Sequence, residues 1–320
     1  MITLEAYPLY ISYILIIVGF FALILGADWL VNGASGLAKR FNVPDLVIGL
    51  TVVAFGTSAP ELVVNLVAAI KGSSEIALTN ILGSNIINTL VILGVSALIY
   101  PVASQRSSRR NDIPLSILAG FLVLLLVLIN PNNGGLNHWS GIVLLLFFAI
   151  FMCATIRHAQ KHPAEMAEEY VPMKAWKAIG LILVGLVSLI LGGQLIVSSA
   201  QHIARSWGVS EHIIGLTVIA LGTSLPELAT SAMAAFRKNS DLAIGNVIGS
   251  NIFNVFFVLG ISACIRPLPS YEGLTLDAFM AGCSSLLLLG FLYSNKERQL
   301  KRWQGFVFLC IYAAYLYTRL

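Results

Sequence analysis

The sequence predicts an all-α integral membrane protein of ten transmembrane helices, built as two inverted five-helix repeats with helices 2 and 7 broken. Three observations predict it. The 320 residues are 58% hydrophobic and only 11% charged, with a mean hydropathy of +0.86, whereas a soluble domain is about 25% charged. Apolar segments of about 20 residues, enough to span a bilayer, recur along the whole chain. Shifting the chain by 166 residues lays Gly49–Gly94 on Gly215–Gly260 without a gap, with 23 of 46 positions identical. The shared residues include Gly, Thr, Ser, Pro, Glu and Asn, so hydrophobicity alone does not produce the match.

The ten segments run near Tyr10–Leu30, Leu46–Ile70, Ile76–Tyr100, Ile113–Ile129 and Trp139–Ile156, then Trp176–Ala200, Ile213–Phe236, Leu242–Ile265, Leu274–Tyr293 and Trp303–Tyr317. Residues 1–157 form the first repeat, 158–174 a short polar linker and 175–320 the second repeat. Each repeat has five spans, an odd number, so the second enters from the opposite side. Alternate loops hold 15 of the 19 Lys and Arg residues, which places those loops in the cytoplasm and both termini outside. Trp29, Trp139, Trp176, Trp207 and Trp303 fall near span ends, as interfacial anchors do.

Composition also excludes. The basic residues are scattered through short loops, so no nucleic-acid partner is expected. Cys153, Cys264, Cys283 and Cys310 have no metal-ligand spacing and read as packing residues. The five histidines lie in loops or at span ends, again without ligand spacing. The first apolar segment lacks a basic leader and a cleavage site, so it reads as a span rather than a signal peptide.

The chemistry sits in two repeated motifs. The first is Ala54-x-Gly56-Thr57-Ser58-x-Pro60-Glu61, with Ala220-x-Gly222-Thr223-Ser224-x-Pro226-Glu227 as its copy. A carboxylate at mid-membrane costs several kcal/mol unless compensated, and here it occurs twice at one repeat position. Proline removes an N–H and clashes with the carbonyl four residues back, so the helix should open there. Carbonyls around Ala54–Thr57 should then lose their helical partners and need a cavity or an ion. The second motif is Asn80-x-x-Gly83-Ser84-Asn85-Ile86-x-Asn88, copied as Asn246-x-x-Gly249-Ser250-Asn251-Ile252-x-Asn254. Ser84 and Asn88 share a helix face, as do Ser250 and Asn254. Gly83 and Gly249 should admit a neighbouring helix closely.

These donors are all oxygen, which suits hard cations such as Ca²⁺ or Na⁺ rather than Zn²⁺ or Cu⁺. Two carboxylates match one Ca²⁺ in charge, or several Na⁺. Protons are the competing way to neutralise the pair. An empty site should not close easily, because like charges repel and desolvation opposes burial. No nucleophile–base pair accompanies the glutamates, so no enzyme activity is expected. A saturable, counter-ion-dependent flux would separate a carrier from a cation channel.

The motifs resemble the alpha-1 and alpha-2 repeats of the Ca²⁺/cation antiporter superfamily, the sodium/calcium exchangers. Residues 49–94 carry the alpha-1 motif and 215–260 the alpha-2 motif. The resemblance implies Ca²⁺-for-Na⁺ antiport by alternating access at a midplane site, with the ions as substrates and no cofactor. It implies Glu61 and Glu227 as central Ca²⁺ ligands, helped by the carbonyls of Thr57 and Thr223. One peripheral Na⁺ site would use Glu61, Ser84, the Ala220 carbonyl, Thr223 and Ser224. The other would use Glu227, Ser250, the Ala54 carbonyl, Thr57 and Ser58. Asn88 and Asn254 would flank the centre. Some relatives carry Asp at the position of Asn254, and Asn here speaks against K⁺ dependence. An H⁺-coupled antiporter of Ca²⁺ or another divalent cation, with the same fold, is the alternative. The linker is too short for folded Ca²⁺-sensor domains, which points to the plasma (inner) membrane of a prokaryote. Beyond the bilayer and these ions, no protein partner is predicted.

Asp28 faces Gln194 in the repeat register and reads as an interfacial hydrogen-bonding group. Glu75 and Asp241 align and begin helices, where the dipole favours an acid.

Overall fold

The computed structural model describes residues 8–71, 74–130, 135–161, 173–208 and 220–319. These residues are almost entirely helical. The first half contains α1 (Leu9–Arg40), α2 (Asp45–Thr57) and α3 (Ala59–Lys71). Then comes α4, which runs Ser74–Ile87, passes through a π turn at Asn88–Ile92 and ends with Leu93–Ile99. α5 (Ser108–Ile129) and α6 (His138–Lys161) complete the half. The second half contains α7 (Ala175–Ser206), α8 (Ala220–Thr223) and α9 (Leu225–Phe236). It continues with α10 (Ser240–Ile265), α11 (Leu274–Tyr293) and α12 (Arg302–Tyr317).

Among the described residues, seven helices are long and apolar enough to cross a membrane. The pair α2 and α3, bent by 48°, makes an eighth. α12 has 16 residues, and the stretch before α8 lies outside the described residues. α1 and α7 each run 32 residues, well past the spans expected from hydropathy. α6 reaches Lys161, into the expected linker.

α4 and α10 form the centre. In each, 78% of the apolar window is buried, against 28–44% in the other spanning helices. The outer helices turn large apolar side chains outward, among them Phe21, Ile17, Leu183 and Val187. So much contiguous apolar surface fits lipid rather than water.

Glycine sets how closely α1 and α7 pack. A Cβ at Gly26 would stand 2.9 Å from the Gly185 carbonyl oxygen, and one at Gly19 would stand 2.9 Å from that of Gly192. The reciprocal contacts are 2.7 Å at Gly185 and 2.8 Å at Gly192. Gly19 and Gly185 are repeat images, as are Gly26 and Gly192, so the seam is symmetric. Ser188 Oγ closes it by donating to the Ala22 carbonyl at 2.8 Å. Without a hydrophobic drive between helices in lipid, such backbone approach is a main source of association.

The loops join in pairs. Two short strands, β1 (Val102–Ala103) and β2 (Gln299–Leu300), pair antiparallel with Val102 opposite Leu300. Leu136 bridges Leu268 at the other end of the bundle. Near that end Asp277 is buried on α11 and accepts from Tyr271 at 2.6 Å and Tyr315 at 2.7 Å, with Arg319 3.3 Å away. Burial and the Asp277 carboxylate hold the Tyr271 phenol above the usual tyrosine range, so it remains a donor.

Gly26→Val should splay α1 from α7 and lower stability by about 1–3 kcal/mol, read as a fall in Tm of the detergent-purified protein. Gly180→Val, on α7 with nothing within 4 Å of its Cβ position among the described residues, should leave Tm near the parent value.

Candidate ion-binding site

The helix break falls at Ser58, whose φ −84° and ψ 8° separate α2 from α3. Its image Ser224 has φ −88° and ψ 5° between α8 and α9. Pro60 and Pro226 stand in the first turn of the resumed helices, where a missing N–H costs nothing. Glu61 and Glu227 follow at once, each 1% exposed, each in a helix's first turn. That position offers a carboxylate the positive end of the dipole, worth about 1 kcal/mol, far less than burial costs.

The break is tighter than expected. The Ala54 carbonyl keeps a bond from the Ser58 N–H at 3.0 Å and a longer one from Thr57 Oγ1 at 3.4 Å. The Ser58 carbonyl accepts from Leu62, and the Ser224 carbonyl from Leu228. π turns, which the sequence reading did not anticipate, lie at Gly49–Val53, Asn88–Ile92 and Phe253–Leu259. Such turns re-space helical carbonyls and often mark functional sites.

Hydrogen bonds join the two halves in matched pairs. Thr57 Oγ1 donates to Asn246 Oδ1 at 3.1 Å, and Thr223 Oγ1 donates to Asn80 Oδ1 at 3.4 Å. Asn88 Nδ2 donates to Asn251 Oδ1 at 3.1 Å, and Asn254 Nδ2 donates to Asn85 Oδ1 at 3.2 Å. Asn246 also donates to Ser231 Oγ at 2.8 Å and to the Glu227 carbonyl at 3.3 Å. Asn251 Nδ2 donates to Thr89 Oγ1 at 2.9 Å. Ser58 Oγ donates to Glu227 Oε1 at 2.8 Å, which brings the first break against the second glutamate.

This wiring leaves oxygens over. Both carboxylate oxygens of Glu61, Oε2 of Glu227, the hydroxyls of Ser84, Ser224 and Ser250, and the side-chain carbonyls of Asn88 and Asn254 are buried without a hydrogen-bond partner among the described residues. The Asn88 and Asn254 amides each donate one hydrogen bond to an asparagine of the other repeat, while their side-chain carbonyls accept none among the described residues. Unpaired buried acceptors are costly, and ionised ones more so. Among the described residues no three His, Cys, Asp or Glu side chains group as a metal site. The donors in hand are two carboxylates with neutral oxygens, suited to a hard cation.

Of the candidate residues, Glu227, Ser58 and Thr57 are linked through direct bonds, with Asn246 between them. Ser84 and Ser250 are buried but not bonded to either glutamate. The Ala220 side chain lies outside those described. Gly249 does admit a neighbour, since its Cβ would meet Leu50 Cα at 2.7 Å. Among the described residues nothing lies within 4 Å of a Cβ at Gly83, and the image contact with residue 216 falls outside them. Glu75 likewise falls outside the described side chains, whereas Asp241 accepts from Gln105 at 2.7 Å. Asn80, Asn85, Asn246 and Asn251 brace the site and were not among the candidates, although all four stand in the repeated motif. Thr89 and Thr230 are buried there too, but neither is identical between repeats, so no repeat signal marks them.

A family model described as "Sodium/calcium exchanger protein" matches residues 11–157 and again 177–320. The chain belongs to the sodium/calcium exchanger family. It is therefore a multi-pass membrane protein of a transporter family. It is 37% identical over 317 residues to the putative antiporter CaxA of Alkalimonas amylolytica, covering 96% of this chain and 98% of that one. It is 28% identical to the sodium/calcium exchanger MaX1 of Methanosarcina acetivorans, covering 96% and 97%. Structures of the sodium-calcium exchanger NCX_Mj soaked with Na⁺ and Sr²⁺ superpose with a TM-score of 0.81 at 32% identity, covering 96% of this chain and 98% of that chain.

Asn246→Ala should untie Thr57, Ser231 and the Glu227 backbone at one stroke. The half-saturating Ca²⁺ concentration in a binding titration should rise by about 10- to 100-fold, as outer-shell losses do at metal sites. Asn65→Ala, which removes a 2.8 Å bond to the Glu61 carbonyl alone, should have the smaller effect.

Proposed function

We propose that this exchanger carries Ca²⁺ against Na⁺, by alternating access at a midplane site centred on Glu61 and Glu227. The observation that carries the reading is the set of buried side-chain oxygens in the two repeated motifs, those of the two glutamates among them, that have no hydrogen-bond partner among the described residues. Such a cage has a formal charge near −2. One Ca²⁺ neutralises it, and so do Na⁺ ions bound together at its periphery. Either load removes the repulsion that opposes closure, so the loaded protein switches and the empty one does not.

In this reading Glu61 and Glu227 hold Ca²⁺ with the carbonyls of Thr57 and Thr223. Ser84, Thr223, Ser224 and the Ala220 carbonyl complete a Na⁺ site beside Glu61. Ser250, Thr57, Ser58 and the Ala54 carbonyl complete the other beside Glu227. The Ala54 carbonyl already accepts from Ser58 N–H and, at 3.4 Å, from Thr57 Oγ1, so to serve an ion it would give up the longer bond. Asn88 and Asn254 flank the centre. No resident cofactor is needed.

The architecture we assign is ten spans in two inverted repeats, 1–157 and 175–320, with a break at Ser58 in the second span and at Ser224 in the seventh. The double match of the family model and the image-related hydrogen bonds support it. So do the loop contacts. β1 with β2, Gln105 with Asp241, and Leu136 with Leu268 each join loops that a ten-span alternation puts on one face. We place the protein in a prokaryotic plasma membrane, with the basic loops inside.

In vesicles, Na⁺-gradient-driven ⁴⁵Ca²⁺ uptake should fall at least tenfold in Glu61→Gln and in Glu227→Gln, because each leaves the cage one charge short. Near-parental uptake in both variants would rule out the site. Lowering the pH should raise the half-saturating Ca²⁺ concentration, since protons occupy the same carboxylate oxygens; a fall would contradict competition. Uptake driven by a pH gradient in sodium-free vesicles would favour H⁺ coupling instead.

A further inference from the structure

One polar cluster lies outside the ion site and is unequal between the repeats. Asp28 and Asn32, four apart on α1, share one helix face. Arg237 is the residue that ends α9, the helix that opens at Glu227. Its Nη1 donates to Asn32 Oδ1 at 2.8 Å, and its Nη2 bonds and ion-pairs with Asp28 Oδ1. Asn32 Nδ2 closes the ring by donating to Asp28 Oδ2 at 3.1 Å. Asn239 extends the tie, donating to Ser35 Oγ at 3.1 Å and to Asp45 Oδ2 at 2.6 Å. So α1 is fastened at positions 28, 32 and 35 to the turn after α9.

The repeat images of this cluster are different chemistry. Asp28 maps to Gln194, Asn32 to Ser198, and Arg237 to Lys71. The carboxylate is lost and the planar fork becomes a point charge. Where two inverted repeats exchange conformations, a contact made on one face in one state is replaced by its image on the other face in the other state. The two states are then closed by unequal bonds. The centre is unequal too, since Ser58 donates to Glu227 while, among the described residues, the Ser224 hydroxyl and the Glu61 carboxylate have no hydrogen-bond partner.

A lone exposed ion pair would contribute little. This one is a three-membered, charge-assisted network with side chains 41% and 29% exposed, so solvent screens it only in part. We infer that Asp28, Asn32 and Arg237 form a one-sided latch that holds the Arg237 face closed and biases the exchanger toward the state open to the opposite face. The inference rests on the inverted-repeat reading above.

The test compares Asp28→Asn and Gln194→Asp with the parent, by hydrogen–deuterium exchange of the full chain in detergent and by transport from each face of oriented vesicles. Asp28→Asn should speed exchange around residues 26–36 and 237–245 and slow it around the image segments of the opposite face. Its half-saturating Ca²⁺ concentration should fall about three- to tenfold at the Arg237 face and rise at the other. Gln194→Asp, which supplies the missing carboxylate, should move each readout the opposite way. Faster exchange at the Arg237 face with no slowing opposite would mark a plain surface salt bridge and overturn the latch. Unchanged Ca²⁺ dependence at both faces in an otherwise active Asp28→Asn protein would also overturn it, leaving the transport reading intact. Opposed shifts in hydrogen exchange in a protein that moves no Ca²⁺ would uphold the latch and remove the transport reading.

Discussion

Two buried carboxylates, with no basic side chain among the described residues bonded to either, are the constraint on which this structure depends. Glu61 and Glu227 are each 1% exposed, and three of their four oxygens accept no hydrogen bond from the described residues. A protein that needed them only for stability would pair them. In the function we propose, their counter-charge comes from outside the chain. The rest of the site answers the same demand, because Ser84, Ser224, Ser250, Asn88 and Asn254 also turn unused oxygens inward.

Holding such a site open to ions but rigid requires that the donors be fixed elsewhere. The asparagines do this. Asn85, Asn88, Asn251 and Asn254 bind one another across α4 and α10, and Asn80 and Asn246 take the threonines of the two breaks. The threonine–asparagine bonds and the Asn88–Asn251 and Asn254–Asn85 bonds come in image-related pairs, whereas the Asn85 bond to the Asn251 carbonyl and the Asn246 bond to the Glu227 carbonyl have no image among the described residues. The glycine seam of α1 and α7 repeats that symmetry farther out. The cluster at Asp28, Asn32 and Arg237 departs from it in sequence, so it can distinguish the two faces.

Much of this was legible in the sequence. The duplicated Gly-Thr-Ser-x-Pro-Glu motif marks both glutamates, because a repeated charge in an apolar run has no structural reason to persist. The breaks follow from the prolines, and the structure places them at Ser58 and Ser224, two residues ahead of each ring. Other features were not legible. Hydropathy fades toward Arg40 and Ser206, so it cannot see that α1 and α7 continue as 32-residue helices. π turns leave no periodic signature in seven residues or fewer. Asn80 and Asn246 carry the signal of identity, yet nothing in one dimension separates a residue that binds the ion from one that holds its neighbour. Thr89 and Thr230 lack even that signal. The Arg237 bond to Asp28 joins residues 209 apart, a pairing that only the packed helices reveal.

The central claim is that one acidic cage serves both ions in turn. Equilibrium ⁴⁵Ca²⁺ binding to the purified protein, titrated with Na⁺, tests it most directly. The account predicts one Ca²⁺ per chain, displaced by Na⁺ along a curve steeper than one-for-one, with no saturable binding in the Glu61→Gln/Glu227→Gln double variant. Ca²⁺ binding that ignores Na⁺, or that survives loss of both carboxylates, would contradict it.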